Sequence, residues 1–334
     1  MKSNLLGNSG LLLSEISLGT MIFGEDSSRG TDADTAVDLI HRYLDQGGNH
    51  LDTANVYADG RSEEITGRAL QGRRDQVILA TKVRFPMGER PNDQGLSRRH
   101  IIQSVEDSLR RLDTDYLDLL YMHAWDPLTP IEESLRAFDD LVRSGKIRCL
   151  GVSNFKAWQL MKALGISDAH SWLRFTAAQY QYSLVERGIE PEIRDLCLAE
   201  GVGIVPWGPL GGGFLSGKYH SGRRPEAGRL AMMPEQAEEA WERRARERNW
   251  KILEVMDDIA SNYRLTHPQI ALRWLLAQPG VTSVIIGART AEQLEENLET
   301  ARLDLPEEEI ERLNEISAPP LGYPYRFIET YAQR

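Results

Sequence analysis

The sequence NHLDTANVY at residues 49–57 decides how the fold of this chain is interpreted. A short apolar strand ends there in Asp52, and Tyr57 follows on the next loop. The next two predicted strands along the chain end in Lys82 and His123. An acid, a phenol, an amine and an imidazole therefore follow the C-terminal ends of successive strands. In a parallel barrel that edge of the strands carries the chemistry, so these residues indicate a candidate active site.

Apolar runs and segments of helical spacing alternate along the chain, as they do in βα repeats. The predicted strands are residues 16–21, 49–53, 77–83, 117–122, 147–152, 175–180, 203–207 and 283–287. A predicted helix follows each strand, and two helices, 235–262 and 268–277, follow the seventh. Eight βα units predict an α/β fold, a single (β/α)8 TIM barrel. The glycine-rich turn of a doubly wound sheet is missing after the first strand, which argues against a Rossmann dehydrogenase.

Segments outside the repeat extend the barrel at both ends. Residues 3–17 predict a β-hairpin cap, because a Gly-Asn-Ser-Gly turn separates two leucine-rich runs. A terminal helix at 306–316 and an irregular tail follow the last unit. We expect one domain over residues 1–334, with the barrel at about 16–299 and the terminal helix and tail at 300–334.

The composition argues against several classes of partner. A net charge of −11 and a pI near 5.3 disfavour nucleic acids and anionic membranes, which recruit basic patches. The two cysteines are too few for a disulfide framework, and the histidines lack the spacing of metal ligands. No run approaches the ~20 apolar residues of a membrane span, and the N-terminus is a poor secretory signal. We expect a cytoplasmic protein without a bound metal, a monomer or a small homo-oligomer, that acts on a small molecule.

The four polar residues have a coherent chemistry if the barrel brings them together. The Lys82 ammonium would favour the phenolate and so make Tyr57 a stronger acid, while Asp52 would hold that ammonium in place. His123 could bind the same reacting oxygen from the other side. Such a phenol is suited to giving a proton to a carbonyl oxygen as it becomes an alkoxide. None of the four supplies a hydride, so a reduction requires a cofactor.

Each residue also has a purely structural interpretation. An aspartate after a strand is often a helix cap, and a tyrosine on a loop usually packs. A single lysine or histidine is more often a surface or structural residue than a catalytic one. The joint occurrence at the ends of three consecutive strands favours the catalytic interpretation.

Together these residues resemble the catalytic tetrad of the aldo-keto reductase family. Residues 51–57, LDTANVY, are similar to the family's Asp-Thr-Ala…Tyr signature, and residues 151–155, GVSNF, resemble its motif at strand five. The resemblance extends over about residues 3–317. It implies the barrel fold, an NADPH cofactor and the reversible reduction of an aldehyde or ketone, with the proton from Tyr57.

The resemblance also implies which residues bind the nicotinamide half of the cofactor. Ser153, Asn154 and Gln179 match the family's carboxamide ligands, although Ser-Asn taken alone is a common helix cap. Trp207 matches the aromatic residue that stacks on the nicotinamide, where the family often has tyrosine; a core aromatic is the structural alternative. The cofactor set further includes four residues at the ends of the first two strands: Gly19, Thr20, Met21 and Asp52.

The Gly-rich loop of residues 208–218 is predicted to fold over the pyrophosphate. Its donors would be the backbone N–H groups of Gly208, Leu210 and Gly213 and the charge of Lys218. The spacing Gly212-x4-Gly217-Lys218 satisfies most of a P-loop pattern, but Tyr219 stands where Ser or Thr should bind Mg²⁺. A P-loop also belongs after a first strand rather than a seventh, so ATP binding is disfavoured.

The helix after strand eight is predicted to bind the adenosine end. An arginine beside a helix N-terminus suits a phosphate monoester, and by resemblance this is the 2′-phosphate that favours NADPH over NADH. The residues concerned are Gly287, Arg289, Gln293, Glu296 and Asn297. Some relatives carry a lysine at the place of Gly287 and an arginine at Gln293, which leaves Arg289 as the main cation here.

The substrate pocket is expected at the same mouth of the barrel. Its predicted wall consists of Phe23, Tyr57, Phe85, His123 and Trp125. Aromatic residues of the tail, Tyr323, Tyr325 and Phe327, are also candidates. A competing class is a non-enzymatic accessory subunit of potassium channels, which has a similar fold and keeps the tetrad.

Overall fold

The computed structural model describes residues 1–27, 29–226 and 228–332. Two short strands pair as an antiparallel hairpin, β1 (Ser3–Leu5) and β2 (Leu12–Ser14). Eight parallel strands then form one sheet. They are β3 (Ile16–Gly19), β4 (His50–Asp52), β5 (Ile78–Val83), β6 (Leu117–Met122), β7 (Ile147–Ser153), β8 (Phe175–Gln179), β9 (Gly203–Ile204) and β10 (Val284–Ile286). The predicted α/β class and the predicted hairpin cap are confirmed.

The sheet closes on itself as a (β/α)8 barrel. Its strands follow the chain order from β3 to β9, and β10 pairs with β3. Backbone hydrogen bonds close the remaining gap, from Ile285 N to Pro206 O at 3.0 Å and from Ile204 N to Gly280 O at 2.9 Å. The C-terminal ends of all eight strands therefore meet around one mouth.

Helices follow the strands and cover the outside of the barrel. They are α1 (Ala33–Asp45), α2 (Arg61–Ala69), α3 (Arg98–Arg111), α4 (Ile131–Arg143), α5 (Ala157–His170), α6 (Asp195–Glu200), α7 (Arg229–Met232), α8 (Trp241–Arg244), α9 (Glu247–Tyr263), α10 (His267–Leu276), α11 (Ala291–Glu299), α12 (Glu307–Ser317) and α13 (Tyr325–Tyr331). Helix α1 shows why they form. The Asp32 carboxylate caps its first turn by accepting from Asp34 N and Thr35 N at 3.1 and 3.0 Å, and its apolar face is buried against the sheet.

Two apolar cores hold the barrel together. One lies between the sheet and the helices, and the other fills the barrel interior. Leu6 and Leu13 from the hairpin are fully buried in the interior core, together with Leu119, Tyr121 and Val205. The hairpin therefore plugs the barrel at the end opposite the mouth.

Two predictions about secondary structure are wrong. The predicted helix at 235–262 is instead the short α8 followed by α9, because the chain leaves helical geometry at Ala245 and buries Trp241. The ring of Trp241 lies 6.0 Å from that of Trp250. The predicted irregular tail contains α13, which begins directly after Pro324. Proline is favoured at a helix start, so the Pro-rich sequence before it marks a boundary rather than an unstructured tail.

None of the helices within the described ranges is long and apolar enough to cross a membrane.

Candidate active site

A cavity of about 1320 Å³ opens at the C-terminal ends of the strands. The last residues of five strands line it: Gly19, Asp52, Ser153, Gln179 and Ile286. The register explains this, because Gly19 is paired with Asp52 in β3 and β4, and Ser153 with Gln179 in β7 and β8. Tyr57 and His123 line the same cavity from the loops that follow β4 and β6. The barrel thus brings these strand ends together as predicted.

Lys82 lies directly behind the cavity wall, in contact with Tyr57 and Asp52, which line the cavity. Its ammonium donates to Asp52 Oδ1 at 2.5 Å, to the backbone carbonyl of Thr53 at 2.9 Å and to the Tyr57 hydroxyl at 3.1 Å. Both members of the Lys82–Asp52 ion pair are buried. These three acceptors use all three donors of the ammonium, so Lys82 is held in one orientation, under the phenol.

The second carboxylate oxygen of Asp52 is also engaged. Gln179 Nε2 donates to Asp52 Oδ2 at 2.7 Å across the barrel. Because β4 and β8 lie on opposite sides of the barrel, no sequence pattern predicts this contact. Gln179 therefore orients Asp52, in addition to facing the cavity.

His123 approaches the same point from the other side. Its backbone N–H donates to Val83 O at 3.0 Å, and its ring lies edge-on to Tyr57 and Phe85, with centroid separations of 6.0 and 4.7 Å. Burial, followed by the charges of Lys82 and Arg84, depresses the pKa of the imidazole well below its usual 6.5. The ring is therefore neutral at pH 7, and its buried Nδ1 has no hydrogen-bond partner among the described residues.

The ionisation of Tyr57 differs from the sequence-based expectation. Burial raises the pKa of the phenol above its usual 10.0, and the Lys82 charge acts in the opposite direction without overcoming that effect. Burial also opposes the charge on Lys82, but the Asp52 carboxylate and the Tyr57 contact outweigh it, and the pKa of the ammonium is raised. At neutral pH the pair therefore consists of an ammonium and a protonated phenol.

Ser153 and Asn154 are fixed by hydrogen bonds beside this centre. Ser153 Oγ donates to the backbone carbonyl of Gln179 at 2.8 Å. Asn154 Nδ2 donates to the carbonyl of His123 at 3.0 Å, and Asn154 adopts a left-handed φ of 55°. Asparagine tolerates this conformation better than most residues. Both residues line the cavity, and the structure gives neither of them the role of capping α5, whose N-cap is Lys156.

The Gly-rich loop after β9 covers one side of the cavity. It forms a turn at Gly211–Ser216 in which Gly212 and Gly213 have φ values of 72° and 89°, a conformation that favours glycine. Gly208, Leu210, Gly213 and Lys218 all line the cavity. The Gly213 N–H, predicted as a donor to the pyrophosphate, donates to Leu210 O at 3.0 Å within the loop.

Lys218 and the start of α11 bring positive charge to the far part of the cavity. Burial, together with the charge of Arg289, lowers the pKa of Lys218. Arg289 N donates to Gln293 Oε1 at 2.9 Å, and Thr290 caps α11. A Cβ at Gly287 would meet no described atom within 4 Å. Two cations and a helix N-terminus therefore border open space, an arrangement suited to a phosphate.

Comparison with known proteins places this geometry in a family. The model of the aldo/keto reductase family matches residues 15–318. The chain is 37% identical to an uncharacterized oxidoreductase, YrpG, of Bacillus subtilis, over 96% of this chain and 98% of that protein. It is 36% identical to a probable voltage-gated potassium channel subunit beta of Arabidopsis thaliana, over 88% and 89% of the two chains. It is 32% identical to norsolorinic acid reductase of Aspergillus flavus, over 97% of this chain and 83% of that protein.

The chain belongs to the aldo-keto reductase family. This family consists largely of oxidoreductases that reduce carbonyl groups and generally use nicotinamide cofactors, so the coarse class of chemistry follows from membership. The predicted resemblance to this family is thereby confirmed.

Most residues predicted for the site of this aldo-keto reductase lie in the cavity wall. The predicted residues that line it are Gly19, Met21, Asp52, Tyr57, Phe85, His123, Ser153, Asn154, Gln179, Trp207, Gly208, Leu210, Gly213, Lys218, Gly287, Arg289, Gln293, Glu296 and Asn297. Lys82 lies directly beneath, in contact with Tyr57. Thr20 is buried behind the wall, where its hydroxyl lies 2.7 Å from Ser62 Oγ.

The aromatic substrate wall was predicted less well. Phe23 is fully buried in the outer core, and the ring of Trp125 packs against Phe155 at 5.1 Å, so neither lines the cavity. Among the tail aromatics, Tyr323 is 81% exposed and Phe327 is 56% exposed, away from the cavity wall. Loop aromatics carry no periodic signal of where their rings point, which is why they could not be assigned from the sequence.

The sequence analysis missed several residues of this family member that line the cavity. Arg229 and Glu239, both after β9, form an ion pair at 2.5 Å. Arg29, which is paired with Glu25 at 2.7 Å, lies on the loop after β3. These residues stand on long loops, and their charge is also what a solvated loop would carry. Within the described residues, no group of three or more His, Cys, Asp or Glu could hold a metal ion.

Proposed function

We propose that this chain is an NADPH-dependent reductase that converts an aldehyde or ketone to the alcohol, reversibly, with Tyr57 as the proton donor. The observation that supports this most directly is the Asp52–Lys82–Tyr57 chain of contacts, in which Asp52 and Lys82 are buried and Tyr57 lines the cavity. A protonated phenol and a neutral imidazole converge there, and both can donate to one carbonyl oxygen.

Each residue has a role in proton transfer. Tyr57 donates its proton to the substrate oxygen as negative charge develops on it. Lys82, held by Asp52, stabilises the phenolate that remains. Neutral His123 donates to the same oxygen and fixes the orientation of the carbonyl. In the oxidation direction, the Tyr57 phenolate takes the proton back.

The residues of the cavity wall fit a phosphorylated dinucleotide cofactor. Trp207 offers an aromatic face, Ser153, Asn154 and Gln179 offer polar side chains, and Lys218 and Arg289 offer positive charge. NADPH bound there would supply the hydride. Arg289, at the start of α11, would bind the 2′-phosphate, which favours NADPH over NADH. Lys218, on the Gly-rich loop, would contact the pyrophosphate. Arg229 is a further candidate for a phosphate contact.

The apolar part of the wall suits an uncharged or weakly polar carbonyl compound. Met21, Ile22, Phe85 and Trp207 border the cavity near Tyr57 and His123. This apolar surface would favour the apolar part of such a substrate, while Tyr57 and His123 offer polar groups to its carbonyl oxygen.

A second candidate function is that of a non-enzymatic, cofactor-binding accessory subunit. The similarity to a probable potassium channel subunit beta favours it, and the tetrad geometry does not distinguish the two functions. Turnover does distinguish them, because an accessory subunit needs to bind the cofactor but not to reduce a substrate.

The proposed function can be tested with the purified protein, NADPH and a panel of aldehydes and ketones. Cofactor oxidation is followed at 340 nm for the wild type, for Tyr57→Phe and for the matched control Tyr323→Phe, which removes an exposed phenol. We expect turnover by the wild type and the control, and a loss of about 10²–10⁴ in Tyr57→Phe. NADPH binding without turnover of any compound would favour the accessory subunit. Absence of NADPH binding would contradict both functions.

A further inference from the structure

Tyr57 begins a turn whose backbone is unfavourable. The three residues after it, Ala58, Asp59 and Gly60, have φ values of 49°, 55° and 92°. Left-handed conformations are disfavoured for residues with a Cβ, and two of these three residues have one. Such a turn persists only where its surroundings enforce it, so something outside the turn must hold Tyr57 in place.

The side chain of Arg111 packs directly on this turn. A Cβ at Gly60 would lie 2.7 Å from Arg111 Cδ and 2.9 Å from Arg111 Nε, which is closer than real Cβ contacts. Arg111 is the last residue of α3. The Arg111 side chain therefore packs closely against the backbone of the turn at Gly60.

Glu63 forms a hydrogen-bonded ion pair with Arg111. Arg111 Nε donates to Glu63 Oε2 at 2.7 Å, and the Glu63 side chain is fully buried. The other carboxylate oxygen, Glu63 Oε1, accepts from Thr81 Oγ1 at 2.6 Å. Thr81 immediately precedes Lys82 in β5. One buried carboxylate therefore touches both the strand that carries Lys82 and the arginine that covers the Tyr57 turn.

We propose that the Glu63–Arg111 ion pair positions Tyr57 against Lys82. The Glu63 contact with Thr81 fixes β5, the strand that carries Lys82, and the Arg111 side chain fixes the turn that follows Tyr57. Together these two contacts hold the Lys82 ammonium and the Tyr57 hydroxyl 3.1 Å apart. Neither Glu63 nor Arg111 lines the cavity, so both act through Tyr57 rather than on the substrate. The proposal rests on the proposed function, in which Tyr57 donates the proton.

The alternative is that this ion pair only stabilises the fold. A second pair provides a matched control, because Arg74 bonds Asp118 at 2.7 Å with side-chain exposures of 16% and 6%, against 19% and 0% for Arg111 and Glu63. Asp118 stands near the start of β6, at the end of the barrel opposite the mouth. Arg74→Met and Arg111→Met each remove an arginine that pairs with a buried carboxylate and should each destabilise the fold, and only the second should affect Tyr57.

The first test compares single-turnover reduction rates and the Kd of NADPH in the two variants, well below their melting temperatures. We expect Arg111→Met to lower the reduction rate roughly tenfold or more, since small displacements of a reacting group are costly. Its NADPH Kd should stay within about twofold of the wild type, because Arg111 is not part of the cavity wall. Arg111→Lys, which keeps a cation for Glu63, should recover part of the rate. A rate in Arg111→Met equal to that of Arg74→Met would overturn the proposal.

The second test does not require turnover. Protein labelled with 3-fluorotyrosine gives a ¹⁹F resonance for Tyr57, assigned by its loss in Tyr57→Phe. We expect this resonance to shift or broaden in Arg111→Met and in the isosteric Glu63→Gln, and to stay in place in Arg74→Met. If Arg111→Met does not fold, the Tyr57 resonance of Glu63→Gln alone tests the positioning role. If the wild type shows no turnover but the Tyr57 resonance shifts in these two variants alone, the proposed function is contradicted and the positioning role is supported. An unchanged Tyr57 resonance in Glu63→Gln would contradict the positioning role itself.

Discussion

The ammonium of Lys82 lies 3.1 Å from the phenol oxygen of Tyr57 at the mouth of the barrel, where Lys82 is buried and Tyr57 faces the cavity. The sheet register produces this contact. Asp52 is paired with Ala80 in β4 and β5, and Lys82 follows Ala80 by two residues on the same face of the strand. Two adjacent strands therefore place the carboxylate and the ammonium together, and the loop after β4 lays Tyr57 over them.

Removal of Asp52 should leave a buried charge without its partner. We expect Asp52→Ala to lower the free energy of unfolding by about 3–5 kcal/mol, because the Lys82 ammonium stays buried while its counter-charge is lost. Urea unfolding followed by circular dichroism measures this. The double variant Asp52→Leu/Lys82→Met should be more stable than Asp52→Ala, because it removes both charges. Equal stability of the two variants would show that the charge of Lys82 does not cause the loss.

The pH dependence of reduction should reflect the raised pKa of Tyr57. The reaction needs the protonated phenol, which is present below the folded pKa and is lost as the pH rises through it. Because burial raises this pKa above 10.0, we expect kcat/KM for reduction to stay level across neutral pH and to fall only above about pH 10. The titration of His123 should not change kcat/KM near pH 6.5, since the pKa of this imidazole lies well below that value. A decline between pH 7 and 8 would contradict this assignment.

Cofactor preference should depend on Arg289, the cation at the start of α11. We expect Arg289→Ala to raise the Kd of NADPH roughly tenfold, because a charge-assisted contact to the 2′-phosphate is lost. The Kd of NADH should change by less than about twofold, since NADH has no phosphate at that position. Fluorescence titration measures both constants, and Arg302→Ala, an exposed arginine outside the cavity wall, serves as control. Equal losses for the two cofactors would place Arg289 elsewhere than at the 2′-phosphate.

Acid stability should depend on a histidine inside the barrel. His50 is fully buried, its Nδ1 lies 2.6 Å from Ser17 Oγ, and burial lowers its pKa to about 4. A group with a depressed folded pKa contributes stability that is present above the unfolded value of 6.5 and is lost as the pH falls toward 4. The loss over this window is about 3 kcal/mol.

The corresponding experiment is chemical denaturation at several pH values between 7 and 4. We expect His50→Gln to flatten the decline of the unfolding free energy, and His220→Gln, at an exposed position, to leave it unchanged. Part of the slope should persist in His50→Gln, because the pKa of His123 is depressed as well. An unchanged slope in His50→Gln would mean that this imidazole does not account for the acid sensitivity.

The barrel and the catalytic candidates were predictable because both have local signals. Each βα unit repeats an apolar run and an amphipathic segment, and Asp52, Lys82 and His123 each stand at the end of such a run. The Gly-rich loop and the helix N-terminus at Arg289 were recognisable for the same reason. The boundaries of α9 and α13 were not, since burial of Trp241 and the boundary role of Pro324 have no periodic signature.

The sequence by itself determined the order of eight βα units and the residues at their ends, because strand and helix periodicity are properties of neighbouring residues. Only the tertiary structure decided what those residues touch: that Gln179 reaches Asp52 across the barrel, that Phe23 and Trp125 lie outside the cavity, and that Glu63 connects Thr81 with Arg111. It also decided the protonation of Tyr57, because a pKa is the sum of burial and of every nearby charge. Those contributions come from residues far apart in the chain, and only the closed barrel brings them within a few ångströms.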